Sequence, residues 1–106
     1  MFRFAKGTGQ RVSGETCTHY LTTTKEVLDN PDFNEAAKFV CSPALRDRED
    51  CEALWQALSD GLLTAVSSDH CGIDVAELKQ AGRDDFTQIP NGSPGAGDRL
   101  QRTAGR

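Results

Sequence analysis

The hydrophobic positions of this chain fall in short runs, and one of them has a clear helical period. Cys51, Leu54, Trp55 and Leu58 stand at i, i+3, i+4 and i+7 and predict a helix from about Arg48 to Asp60. Asp47 is the expected N-cap, with Asp50 three residues on as its return partner. Glu49, Asp50 and Glu52 crowd the first turn, where the helix dipole favours negative charge. Gly61 follows where a left-handed C-terminal cap belongs. The stripe, Trp55 included, reads as core packing rather than a binding surface.

The other elements rest on shorter signals. The run Leu62–Ser68 reads as a buried strand, Phe39–Cys41 as a second strand ended by Ser42-Pro43, and Arg11–Ser13 as an earlier one. Glu26–Leu28 is a short helical possibility stopped by Asn30-Pro31, and Asp32 to Lys38 reads as a polar connection. Val75 to Ala81 predicts a short helix closed by Gly82. Beyond Pro90 the chain is rich in Gly and Pro and poor in apolar residues, which predicts a lack of stable structure.

Strand, helix and strand in succession (Phe39–Cys41, Arg48–Asp60, Leu62–Ser68) form a βαβ pattern, for which a right-handed crossover is expected. Function in parallel α/β folds gathers at the carboxyl ends of the strands. Glu15, Ser42 and Asp69 each follow a predicted strand and are expected on one face of the sheet.

Composition narrows the class. At 106 residues the chain is expected to form one domain. Its net charge of −4 argues against nucleic-acid binding, which needs a basic face. No apolar run approaches the roughly 18 residues needed to span a bilayer. Met1 to Lys6 carries charge without the apolar stretch of a signal peptide, so a cytoplasmic location is expected. The four cysteines, Cys17, Cys41, Cys51 and Cys71, include no C-x-x-C pair and read as reduced, partly buried thiols.

The candidate chemistry sits in Ser67-Ser68-Asp69-His70, just past the predicted strand. Asp and His are common ligands of divalent metals. Asp69 could instead be a turn residue before Gly72. His70 suits a structural role better than ligation, His19 reads as a loop or packing residue, and Glu15 as structural.

Four segments carry a family resemblance: Gly14-Glu15-Thr16-Cys17-Thr18-His19-Tyr20-Leu21, Lys38-Phe39-Val40-Cys41-Ser42-Pro43-Ala44-Leu45-Arg46, Ser67-Ser68-Asp69-His70-Cys71, and Gly82-Arg83-Asp84-Asp85-Phe86-Thr87-Gln88-Ile89-Pro90-Asn91-Gly92. In this order and spacing the chain resembles the dihydropyrimidinase/hydantoinase family of cyclic amidohydrolases, from about Gly9 to Leu100. It departs from the family at Gly72-Ile73, where proline is common after the cysteine, and at Ala44, where a second proline is common.

The resemblance implies an α/β fold, part of a (β/α)8 TIM barrel comprising its last two or three βα units. Residues 1–100 would form this barrel fragment, and residues 101–106 a disordered or non-native tail. It implies ring opening of dihydropyrimidines or hydantoins at a two-metal zinc centre, with Asp69 as metal ligand and catalytic proton carrier. The other ligands of that centre match nothing in this chain. Ser42 and Asn91 match positions that contact the cyclic ureide substrate, largely through backbone groups. The parent enzyme would be a homotetramer without nucleic-acid or membrane partners, and this chain would be a fragment inactive alone. Two alternatives stand beside it: a non-enzymatic dihydropyrimidinase-related assembly protein, and a small stand-alone metal-binding protein using His19, Asp69, His70 and a cysteine.

Overall fold

The computed structural model describes residues 1–74 and 77–105. In chain order the elements are helix α1 (Phe2–Gly7), strand β1 (Glu15–Cys17), helix α2 (Thr18–Thr22), a 3-10 turn at Lys25–Asp29, helix α3 (Phe33–Ala37), helix α4 (Arg48–Ser59) and strand β2 (Ala65–Ser67). Two further 3-10 turns, Lys79–Gly82 and Phe86–Gln88, precede the last helix, α5 (Arg99–Thr103).

Helix α4 forms where its periodicity places it. Asp47 and Asp50 make the expected capping box, with the Asp50 carboxylate accepting the Asp47 N–H at 3.3 Å. Gly61 takes a left-handed φ of 68°. This lets the N–H groups of Leu62 and Leu63 both reach the Ala57 carbonyl, at 2.8 and 3.0 Å, and close the helix end. Cys51 is buried on the stripe, while Leu54, Trp55 and Leu58 are half-buried. Helix α4 packs against α2. There Trp55 Nε1 donates to the Leu21 carbonyl at 3.0 Å, which satisfies the polar tip of a large side chain at the contact.

The strands differ from the sequence expectation. The sheet is a parallel pair, β1 beside β2, in the register Glu15↔Ala65, Thr16↔Val66 and Cys17↔Ser67. Arg11–Ser13 is not a strand; the pairing begins at Glu15, which opens β1 instead of following a strand. Phe39–Cys41 is not a strand either. The N–H groups of Phe39 and Val40 turn back to the Ala36 and Ala37 carbonyls at the end of α3. The strand expected over Leu62–Ser68 shrinks to its last part, because Leu62 and Leu63 are spent on closing α4. The crossover between paired strands therefore runs from β1 through α2, α3 and α4 to β2.

Three further segments are more ordered than their composition predicts. Asp32 caps α3 by accepting the Asn34 N–H at 2.9 Å, so the supposed polar connection holds a turn of helix. Thr18–Thr22 is helical despite its threonines, with Thr18 and Leu21 buried. The stretch after Pro90 bridges back to His70 through Ser93 and ends in α5, where Arg102 pairs with Asp98. The helix expected over Val75 to Ala81 lies partly outside the described residues; Lys79–Gly82 is a 3-10 turn.

Among the described residues the buried apolar side chains are few: Leu21, Ala37, Leu45, Cys51 and Leu63. Phe4, Phe86 and Leu100 stay largely exposed, at 74 %, 80 % and 80 %. Among the described residues no helix is long and apolar enough to cross a membrane.

With so small a core, the α2–α4 contact carries much of the cohesion. Replacing Trp55→Phe keeps a ring there but removes the bond to Leu21. It should lower unfolding free energy by about 1–2 kcal/mol in urea titration. A loss within the roughly 0.5 kcal/mol typical of surface changes would place Trp55 outside the core.

Candidate functional site

The parallel pairing of β1 and β2 sets the carboxyl ends of both strands side by side. Cys17 Sγ lies 3.4 Å from Ser67 Oγ, and Thr18 Oγ1 donates to the Ser67 carbonyl at 3.4 Å. The chain leaving β1 presents His19, and the chain leaving β2 presents Asp69. Asp69 adopts φ 44°, the one non-glycine residue with positive φ among the described residues. Asp tolerates this left-handed conformation better than most side chains. Its placement directly after a strand matches the habit of functional residues to occupy sparsely populated backbone regions.

Ser42 and Asn91 reach the same place from elsewhere in the chain. A cleft of about 160 Å³ is lined by Ser42, Asp69 and Asn91 together with His19, Cys41 and Cys71. Ser42 Oγ donates to Asn91 Oδ1 at 3.4 Å. The peptide between Ser42 and Pro43 is cis, and the Pro43 carbonyl accepts the Tyr20 hydroxyl at 2.7 Å. Three residues expected at the site are thus brought together. Glu15 is not: it pairs with Ala65 at the far end of β1 and is exposed.

The Asn91 segment is held by contacts that sequence reasoning does not find. His70 Nδ1 accepts the N–H groups of Gly95 and Ala96 at 3.1 and 3.3 Å, and Cys71 N–H donates to Ser93 at 3.2 Å. His70 therefore anchors the loop. Gly92 N–H donates to the Val40 carbonyl at 3.0 Å. Lys79 is only 1 % exposed, and its Nζ donates to the carbonyls of Ala37, Val40 and Gly92 at 2.5, 3.3 and 2.9 Å. One ammonium thus ties the segment before Ser42 to the segment after Asn91. No pattern in the sequence separates this lysine from solvent-exposed ones.

Burial shapes the titration of the lining groups. It pushes the His19 imidazole below its usual pKa, against the opposing pull of the Asp69 charge. It raises the Cys41 thiol and, with help from nearby Cys41, the Tyr20 phenol, so both stay protonated near neutrality. It lowers the Lys79 ammonium from its ordinary value.

The donor chemistry suits a divalent metal in part. Cys17, His19 and Asp69 each offer a ligand atom, and these atoms all lie within 4.8 Å of one another. His19 Nε2 is buried without a hydrogen-bond partner. His19 and an unspecified cysteine enter the sequence reading only in the stand-alone metal-binding alternative, which also uses His70; the structure singles out Cys17 and leaves His70 in the loop. The available signal was a Cys-x-His spacing at a strand end.

Against known proteins, no family model matches the chain. D-hydantoinase from Ralstonia pickettii is 51 % identical over 96 residues, covering 91 % of this chain and 21 % of that protein. D-hydantoinase from Geobacillus stearothermophilus is 46 % identical over 96 residues, covering 91 % of this chain and 20 % of that protein. In structure, dihydropyrimidinase from Brevibacillus agri superposes with a TM-score of 0.90 at 44 % identity, over 95 % of this chain and 22 % of that one. These matches define an α/β segment of a hydrolase family. Sequence and structure together assign the chain to the D-hydantoinase and dihydropyrimidinase family, as the counterpart of one segment of its members. The chain spans about a fifth of the length of the curated relatives it matches.

The loop bearing Asn91 should tolerate little. Gly92 has φ 127°, and a Cβ there would lie 2.6 and 2.7 Å from Cys71 Cβ and Sγ. Gly92→Ala should destabilise the chain by about 1–3 kcal/mol through overpacking and backbone strain. At Gly97 a Cβ meets nothing within 4 Å, so Gly97→Ala should change stability by under about 1 kcal/mol. Equal losses in denaturant titrations of the two variants would contradict the packing described.

Proposed function

We propose that this chain is the Asp69-bearing part of a metal-dependent hydrolase that opens the cyclic amide ring of dihydropyrimidines or hydantoins. One observation carries the reading: Ser42, Asp69 and Asn91, from three separate segments, line one cleft. The kinship with D-hydantoinases and dihydropyrimidinases supports it. In this proposal β1 and β2 belong among the last strands of a (β/α)8 barrel, and the chain is inactive without the rest of that barrel. The parent enzyme would be cytoplasmic and homotetrameric, with a small cyclic ureide as its substrate and no nucleic-acid or membrane partner.

Asp69 would hold zinc together with ligands outside these residues. The bound metal supplies Lewis acidity and lowers the pKa of water near neutrality. The chain's own residues do the rest. Backbone groups at Ser42 and Asn91 present donors and acceptors to the planar N–H/C=O edge of the ring and orient it. The loop contacts of Lys79 and His70 keep those groups in place before substrate arrives, which limits the ordering cost of binding. Asp69, next to the attacking water, takes its proton and delivers it to the departing ring nitrogen. The exposed carboxylate at the mouth of the cleft is suited to this exchange.

The test is complementation. A D-hydantoinase lacking the matched segment, co-expressed with this chain, should regain ring opening of hydantoin or dihydrouracil with zinc supplied. Asp69→Asn should reduce the recovered rate by about 10²–10⁴-fold. A stable complex without hydrolysis would overturn the enzymatic reading in favour of an assembly role. Equal rates with Asp69→Asn would remove Asp69 from the chemistry.

A further inference from the structure

We propose that Cys17, His19 and Asp69 form a three-ligand site for a thiophilic divalent cation, held by this chain alone. The set differs from the proposed hydrolytic centre in its ligands. It shares Asp69 with that reading but needs no residue from outside the chain, and it adds a sulfur donor.

Three observations converge on it. The ligand atoms of the three residues lie within 4.8 Å of one another. Typical zinc–sulfur, zinc–nitrogen and zinc–oxygen bonds put ligand atoms of a tetrahedral site about 3.3–3.8 Å apart. The arrangement therefore needs to close by about 1–1.5 Å at its widest, and Asp69 is exposed and leaves room for that movement. His19 Nε2 is a buried polar atom without a hydrogen-bond partner. Such atoms are few in native proteins, and a cation is one way to satisfy them. Cys17 Sγ contacts Ser67 Oγ at 3.4 Å, a weak thiol–hydroxyl bond, so ligation displaces little there.

The backbone makes the set cohesive. Cys17 ends β1 and His19 lies in the first turn of α2, while the pairing of Cys17 with Ser67 fixes the other strand two residues before Asp69. Three protein ligands leave a fourth position open toward solvent on the exposed side of Asp69. A thiolate with one imidazole and one carboxylate favours zinc, cadmium or cobalt over magnesium or calcium. On binding, the Cys17 thiol loses its proton to solvent and the sulfur–metal bond forms in its place.

The experiment uses the whole chain with cobalt(II) as the probe. One equivalent should produce a near-ultraviolet sulfur-to-cobalt charge-transfer band, and zinc should displace it. Cys17→Ser should abolish the band, while Cys41→Ser and Cys71→Ser should retain it. Asp69→Asn, at an exposed position that Asn tolerates equally, should weaken cobalt binding by about tenfold or more with unchanged circular dichroism. The same loss is expected for His19→Ala. No band in the wild-type chain, a band that survives Cys17→Ser, or one that follows Cys41 or Cys71 would overturn the proposal. These readouts involve no hydrolysis, so failed complementation would leave this site standing, and a missing band would leave the hydrolase reading untouched.

Discussion

The parallel pairing of Glu15–Cys17 with Ala65–Ser67 is the constraint on which the molecule depends. It joins residues that lie 50 apart in sequence, as the Cys17–Ser67 contact shows. Closing so long a loop has an entropic cost, and two three-residue strands cannot meet it alone. The pairing survives because flanking contacts reinforce it. Thr64 N–H donates to the Gly14 carbonyl at 2.9 Å just before the strands, and Thr18 reaches the Ser67 carbonyl just after them. A Cβ at Gly14 would lie 2.8 Å from Leu63 Cδ2 and 3.0 Å from the Phe2 ring, so the bare glycine lets these side chains close over the start of β1. Helix α2, in contact with β1, then packs on α4.

A second set of contacts builds the site on that base. The strands deliver His19 and Asp69, but Ser42 and Asn91 come from irregular segments with no ladder to place them. Lys79 and His70 do this work by separate sets of hydrogen bonds. The buried ammonium gathers three carbonyls, and the imidazole gathers two N–H groups. A buried charge is costly unless its donors are satisfied. The convergence of three acceptors on one Nζ offsets much of that cost and makes the lysine a tie between loops. Gly92 admits the close passage of the Asn91 segment over Cys71.

What was legible in the chain follows the range of the interactions. Helix α4 was legible from cap to cap because its signals are local: the Asp47–Asp50 box, the period of Cys51, Leu54, Trp55 and Leu58, and Gly61. The strands were misplaced because their identity depends on a partner far away. Arg11–Ser13 has as good a strand pattern as Glu15–Cys17, and only the second finds a neighbour. Phe39–Val40 looks extended by composition but ends α3, whose Asp32 cap was present in the sequence and unread. Asp69 stood out from its residue type beside His70, and Ser42 and Asn91 from family resemblance. Their common cleft could not be foreseen, since it is set by tertiary contacts. The sequence offers His19 and a cysteine as ligands only as one alternative, without saying which cysteine, because a thiol and an imidazole two residues apart gain meaning only beside Asp69.

The most direct test of this account is whether the strand pairing forms in the chain itself. Nuclear magnetic resonance of the labelled protein would read it through amide exchange and cross-strand proton contacts. The account predicts contacts between Thr16 and Val66 and between Cys17 and Ser67, with the amides that donate across the pair among the slowest to exchange. Exchange of these amides at the rate of an unstructured chain, with no contact between the two segments, would contradict it.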